Sequence, residues 1–183
     1  MPIKILISLP ALNEEKTIGR ILEQIKQLAV ADAIILPMVI DDGSTDKTAE
    51  IGRAADAIVV SHHQNRGVGA AFQSAVNEAI NQNVDIMVNI DSDGQFDPAD
   101  IPKLVAPILT GQADFVTASR FVNDYQIKMP IMKKWGNFQI ARLVSWLTKQ
   151  KIHDASCGFR AYTRKALLNL NLIYRRQMLA KSD

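Results

Sequence analysis

Apolar residues in this chain fall into short unbroken runs, separated by stretches in which they recur every three or four positions. The runs Ile3 to Leu9, Ile34 to Ile40, Ala57 to Val60, Asp85 to Ile90 and Asp114 to Ala118 are continuous rather than alternating. That pattern belongs to strands covered on both faces. Between them, Ile18, Ile21, Leu22, Ile25 and Leu28, and then Val68, Ala71, Phe72, Ala75, Val76, Ala79 and Ile80, follow the i, i+3, i+4 spacing of amphipathic helices. Strand and helix alternate, so the prediction is a single α/β domain: an open, mainly parallel sheet with helices on both faces. Such sheets bind ligands beyond the carboxyl ends of their strands. Polar residues gather at those ends: Asn13 and Glu14, Asp41 and Asp42, His62 to Gly67, Asp91 to Gln95, and Ser119 with Arg120.

Two of these ends carry paired acids. Asp91-Ser92-Asp93 leaves its strand with carboxylates at i and i+2, able to face one cation together, and Gln95 adds a carbonyl oxygen nearby. Hard divalent cations take such oxygen ligands and complete their shell with water or phosphate. The same acids serve equally well to start a turn, the role expected of Asp97-Pro98. Asp41 and Asp42 are followed by Gly43, suited to a tight turn, and by Asp46, expected to cap a helix starting at Lys47. Capping does not account for two adjacent acids at a strand end, which are placed to accept hydrogen bonds from a nucleobase imide or a ribose.

The run Asn65 to Ala71, NRGVGAA, opens a helix with small residues and free amides that either approach a phosphate or permit close packing. Its glycines follow the third strand rather than the first, which counts against a dinucleotide fingerprint and a nicotinamide cofactor. His62 and His63 lack metal-ligand spacing and read as strand-end polar residues, while Cys157 reads as packing filler.

Composition narrows the class. The 183 residues suit one domain, and 48% hydrophobic with 22% charged residues is an ordinary globular balance. A net charge of +2 is too small to imply nucleic acid. One cysteine fits a reducing, cytoplasmic compartment. No signal peptide or transmembrane segment is expected from the brief apolar start MPIKILISLP or from any later run.

Six motifs occur in order: LPALNEE from Leu9, DDGSTDKT, NRGVGAA, DSDGQ, SRF and DASCGFR. Together they resemble the family 2 glycosyltransferases of GT-A (Rossmann-like) fold. Within that family the chain is most similar to dolichol- and polyprenyl-phosphate sugar transferases, over about Ile3 to Leu170. The resemblance implies that Pro10, Leu12 and Glu14 line a nucleoside pocket with Asp41 and Asp42. It implies that Asp91, Ser92, Asp93 and Gln95 hold Mg²⁺ or Mn²⁺ and diphosphate, joined by Arg120.

By the same resemblance the donor is a UDP- or GDP-sugar and the acceptor a lipid phosphate or a glycan, as in cell wall or glycan biosynthesis, with inversion at the anomeric carbon. Asp93, Asp154 and Arg160 are the candidate catalytic residues; for the last two, a turn held by an internal Asp to Arg pair remains the alternative.

The segment Lys128 to Lys151 mixes Trp135, Trp146 and Phe138 with six cations. It suits either a helix at the cytoplasmic face of a membrane or one packed on the sheet with a solvated basic side. The glycosyltransferase domain is expected over 1–170. The tail 171–183 departs from the family's continuation and reads as a truncated end, which leaves open a non-catalytic nucleotide-sugar-binding domain.

Overall fold

The computed structural model describes residues 1–118 and 157–179, with side chains through residue 172. Strands β1 (Ile3–Ala11), β2 (Ala33–Asp41), β3 (Ile58–Ser61), β4 (Ile86–Asn89), β5 (Phe115–Thr117) and β6 (Arg160–Thr163) form one sheet in the order β3-β2-β1-β4-β6-β5. The first four pair in parallel, and β6 runs antiparallel between β4 and β5. Helices α1 (Ile18–Lys26), α2 (Thr48–Ala54), α3 (Val68–Asn81), α4 (Ile101–Leu109) and α5 (Arg164–Leu179) connect or follow the strands.

The sheet is covered on both sides, which is why its parallel strands read as mainly apolar runs without alternation. Ile5, Ile7 and Leu9 of β1, with Val88 of β4, pack against Ile18, Ile21, Leu22 and Ile25 of α1 and Ile101, Leu104, Val105 and Ile108 of α4. The intervening residues Leu6, Met38, Ile40 and Met87 face Ala71, Ala75, Val76 and Ala79 of α3 and Leu167 of α5. Alternate positions of one strand therefore enter opposite cores, and each buried aliphatic side chain contributes about 1.5 to 3 kcal/mol. The small residues of α3 bring that helix close to the sheet.

All five expected strands are present, with ends shifted by one or two residues. Asp97 caps as expected, its Oδ1 accepting from the Ala99 N–H at 2.9 Å. Asp46 Oδ1 accepts from the N–H of Thr48 (2.9 Å) and from its hydroxyl (2.5 Å), and α2 begins at Thr48. The sixth strand was not expected from the sequence: Arg160, a candidate catalytic residue whose alternative reading was a turn, is the first residue of β6, paired with Asn89 on one side and Thr117 on the other. Helix α5 passes the 170/171 boundary without a break. Among the described residues, no helix is long and apolar enough to cross a membrane.

Candidate functional site at the strand ends

Parallel pairing places the carboxyl ends of β1, β2 and β4 side by side, and the segments leaving them bind one another. Past β1, Asn13 adopts φ 57°, a left-handed conformation that Asn tolerates better than most residues. Its Oδ1 accepts from the Thr45 N–H at 2.9 Å, and its own N–H donates to Ser44 Oγ at 3.0 Å. Glu14 donates its N–H to Thr48 Oγ1 at 2.8 Å, and its carboxylate accepts from Thr17 Oγ1 at 2.7 Å. The LNE segment is thus fastened to the DDGSTD turn.

Asp41 and Asp42 are both buried. Asp41 Oδ1 accepts from the Ser44 N–H at 2.9 Å, closing the turn. Gly43, at φ 81°, is required there: a Cβ would stand 2.5 Å from the Gln64 carbonyl carbon and 2.7 Å from the Asn65 nitrogen. Asp42 reaches across to the segment after β3. Its Oδ1 accepts from His62 Nδ1 (2.6 Å) and the Arg66 N–H (2.9 Å), and its Oδ2 from the Gly67 N–H (2.8 Å). Burial alone would raise the Asp42 pKa, but the bonds from His62, Arg66 and Gly67 outweigh it and hold the carboxyl below its ordinary value.

The turn after β4 carries the DxD residues. Ser92 is buried and donates to the Pro10 carbonyl at 2.6 Å, fixing the turn to β1. Asp93 is exposed, and its Oδ1 accepts from the Gln95 N–H at 2.9 Å. Asp91 stands against Gly158, where a Cβ would collide with its carboxylate, and Asn89 Nδ2 holds the Gly158 carbonyl at 2.9 Å.

Between these segments lies a cleft of about 330 Å³ lined by Pro10, Leu12, Glu14, Asp42, Asn65, Gly67, Val68, Asp91, Ser92 and Asp93. Seven of the expected binding residues therefore line one cleft. Asp41 contributes no wall, and Gln95 stands exposed on the turn. Arg120, Asp154 and the 128–151 segment lie outside the described residues. The cleft meets a larger cavity of about 910 Å³ at Pro10, Val68 and Asp91. That cavity holds Arg160 and an aromatic row, in which the ring centroids of Phe72 and Phe115 lie 5.6 and 5.1 Å from that of Tyr162.

Among the described residues, no three His, Cys, Asp or Glu side chains group closely enough to enclose a metal. Asp91 and Asp93 both line the cleft.

His62, read from the sequence as a strand-end polar residue and not among the expected binding residues, lies behind the cleft residue Asp42. Its side chain is 5% exposed and bridges Asp42 to Ser74 Oγ of α3, with Nε2 to Oγ at 2.9 Å. The signal was available in the order of elements. Asp41 and Ser61 end adjacent parallel strands in register, so the residues that follow them, Asp42 and His62, emerge side by side.

Comparison with known proteins agrees with this architecture. The model of "Glycosyl transferase family 2" matches residues 7–170. A UDP-N-acetylglucosamine--dolichyl-phosphate N-acetylglucosaminyltransferase of Methanococcus voltae is 32% identical, covering 89% of this chain and 70% of its own length. A dolichyl-phosphate hexose transferase of Haloferax volcanii is also 32% identical, with 85% and 64% covered. Glucosyl-3-phosphoglycerate synthase from Mycobacterium tuberculosis, crystallised with Mn²⁺, UDP-glucose and phosphoglyceric acid, superposes with a TM-score of 0.68. That match has 28% identity over 88% of this chain and 57% of that one. The chain spans 66% of a 34%-identical, uncharacterised protein of Methanocaldococcus jannaschii.

Proposed function

The chain belongs to glycosyl transferase family 2, and from that premise we propose that it binds a UDP- or GDP-sugar in the Pro10–Asp93 cleft and transfers the sugar, with inversion, to an acceptor. The acceptor is a polyprenyl (dolichol-type) phosphate, a reading supported by the names of the two dolichyl-phosphate relatives. Such an acceptor places the enzyme at the cytoplasmic face of a membrane. The observation that carries the proposal is the convergence of three strand ends and the amino end of α3 on one cleft, whose lining includes Glu14, Asp42, Asp91 and Asp93.

In this reading Pro10, Leu12 and Glu14 with Asp42 hold the nucleoside, and Asp41 supports that wall through the turn at Ser44. Asp91 and Asp93, with Gln95, hold Mg²⁺ or Mn²⁺; the cation, when bound, neutralises charge on the departing diphosphate. Ser92 keeps those acids in place through Pro10. Arg160, which lines the larger cavity, and Arg120 supply guanidinium donors to the phosphates. Asp154 is the candidate base where the acceptor is a sugar hydroxyl. A lipid phosphate is already an anion near neutral pH and needs only positioning.

The test is thermal stabilisation by UDP, GDP and NAD, each with and without Mn²⁺, followed by a transfer assay with the nucleotide sugar that binds. A manganese-dependent shift by one nucleoside diphosphate, lost in Asp93→Ala, supports the site. A shift with NAD alone sinks it. Binding without transfer or donor hydrolysis reduces the assignment to a non-catalytic nucleotide-sugar-binding domain.

A further inference from the structure

We infer that His62 is a positioning residue for the nucleotide: it sets the distance between the amino end of α3 and the acidic turn after β4, and so governs affinity for the nucleoside diphosphate. This rests on the reading of the Pro10–Asp93 cleft as the nucleotide site.

Two groups of lining residues come from different segments. Pro10, Asp91, Ser92 and Asp93 belong to β1 and the turn after β4; Asn65, Gly67, Val68 and Ala71 lie at and before the start of α3. The first group is fixed internally by the bond from Ser92 to the Pro10 carbonyl. The second is an exposed turn whose attachment to the sheet passes through Asp42, which accepts from the Arg66 and Gly67 N–H groups. His62 completes that attachment from two directions. Its Nδ1 bonds Asp42 at 2.6 Å, and its Nε2 bonds Ser74 on α3 itself at 2.9 Å. One imidazole thus ties the end of β2, the end of β3 and α3 into a single unit, with both His62 and Asp42 side chains more than nine-tenths buried.

Removing the ring leaves a buried carboxylate short of one donor and frees α3 at Ser74. The Arg66–Gly67 turn then loses its fixed position relative to Asp91, although the core faces of α3 at Ala71, Ala75 and Ala79 still hold the helix on the sheet. The expected effect falls on ligand affinity in the folded protein, beyond any loss of stability. Loss of a hydrogen bond to a charged group corresponds to about tenfold in an equilibrium constant.

Calorimetric titration with UDP and GDP in Mn²⁺, at a temperature where every variant is folded, tests this. His62→Ala is expected to weaken the nucleoside diphosphate that binds wild type about tenfold. His62→Asn, whose amide nitrogen can replace Nδ1 but cannot reach Ser74, is expected to restore most of it. Ser74→Ala is expected to weaken binding in the wild-type background and to have no further effect beside His62→Asn. A folded His62→Ala that binds within twofold of wild type overturns the inference, as does a loss that Asn does not restore. Should His62→Ala not fold, Ser74→Ala and the His62→Asn pair carry the same test. If wild type binds neither nucleotide, the proposed nucleotide site itself fails and the inference falls with it.

Discussion

The carboxylate of Asp91 and the α-carbon of Gly158 are packed so closely that no side chain fits between them. Gly158 cannot retreat, because Asn89 Nδ2 holds its carbonyl and β6 begins two residues later, paired to β4. Gly158→Ala must therefore displace the Asp91 side chain. Only a side chain must give way, and moving one off its preferred rotamer costs about 0.5 to 1.5 kcal/mol. The expected outcome is a nucleoside diphosphate affinity in Mn²⁺ lowered about tenfold or more, alongside a modest drop in melting temperature. Titration calorimetry beside a ligand-free melt checks both; unchanged affinity would show that Asp91 does not need its observed position.

The turn after β2 makes a second prediction that concerns stability alone. Gly43→Ala combines a left-handed φ of 81° with backbone clashes at Gln64 and Asn65, none of which can swing aside as a side chain would. A loss of about 2 kcal/mol is expected, or roughly 4 to 8 °C in Tm for a domain of this size. Thermal melting of the variant without ligand measures it, and a change below about 1 °C would mean that the turn adapts freely.

Legibility from sequence followed how local each feature is. The strands β1, β2 and β4 were readable because both faces are covered, so few polar positions fall inside them, Lys4 and Ser8 in β1 being the exceptions before the strand ends. Strand β6 was not: RAYT is four residues long, starts with Arg160, and owes its conformation to pairing with β4 and β5, residues far off in the chain. In the site, the acids of DDG and DSD announced themselves at strand ends. What their side chains bind was hidden, since Asp42 is engaged by His62, Arg66 and Gly67, 20 or more positions away. His62 carried no motif of its own, and only the register of β2 with β3 brings it to Asp42. The cap at Asp97, formed within three residues, was readable for the opposite reason.

Asp42 also gives the site a signed pH dependence. Its folded pKa lies below the ordinary 3.8, so the carboxylate form is the one that folding favours. The stabilisation is fully present above about pH 4 and is lost as pH falls through the folded value. Asp42→Asn is expected to lower Tm near pH 7, because a neutral amide accepts less strongly from His62 and brings its own donors towards the Arg66 and Gly67 N–H groups. The gap between variant and wild type should then narrow as the pH is lowered below 4. Melting curves from pH 7 down to pH 3 decide it, and a gap that widens on acidification would reverse the sign of the argument.

The last prediction separates the charge of Asp93 from its shape. Asp93 is exposed, and the one bond described for it is local, from the Gln95 N–H to Oδ1 at 2.9 Å. An asparagine keeps that acceptor and the turn with it but carries no charge, whereas an alanine loses both. If Asp93 serves only to shape the turn, Asp93→Asn should behave as wild type in every assay and Asp93→Ala should lower Tm by about 2 °C. If it holds a divalent cation beside the diphosphate, the two variants should be alike in the opposite sense. Each should lose about tenfold or more of the manganese-dependent nucleotide affinity, since a hard cation binds a neutral amide oxygen far less well than a carboxylate. Asn alone should then keep the wild-type Tm without ligand. Titrating Mn²⁺ at fixed nucleoside diphosphate against both variants reads the two effects independently. Wild-type manganese dependence in Asp93→Asn would remove the residue from the cation site while leaving its place in the turn intact.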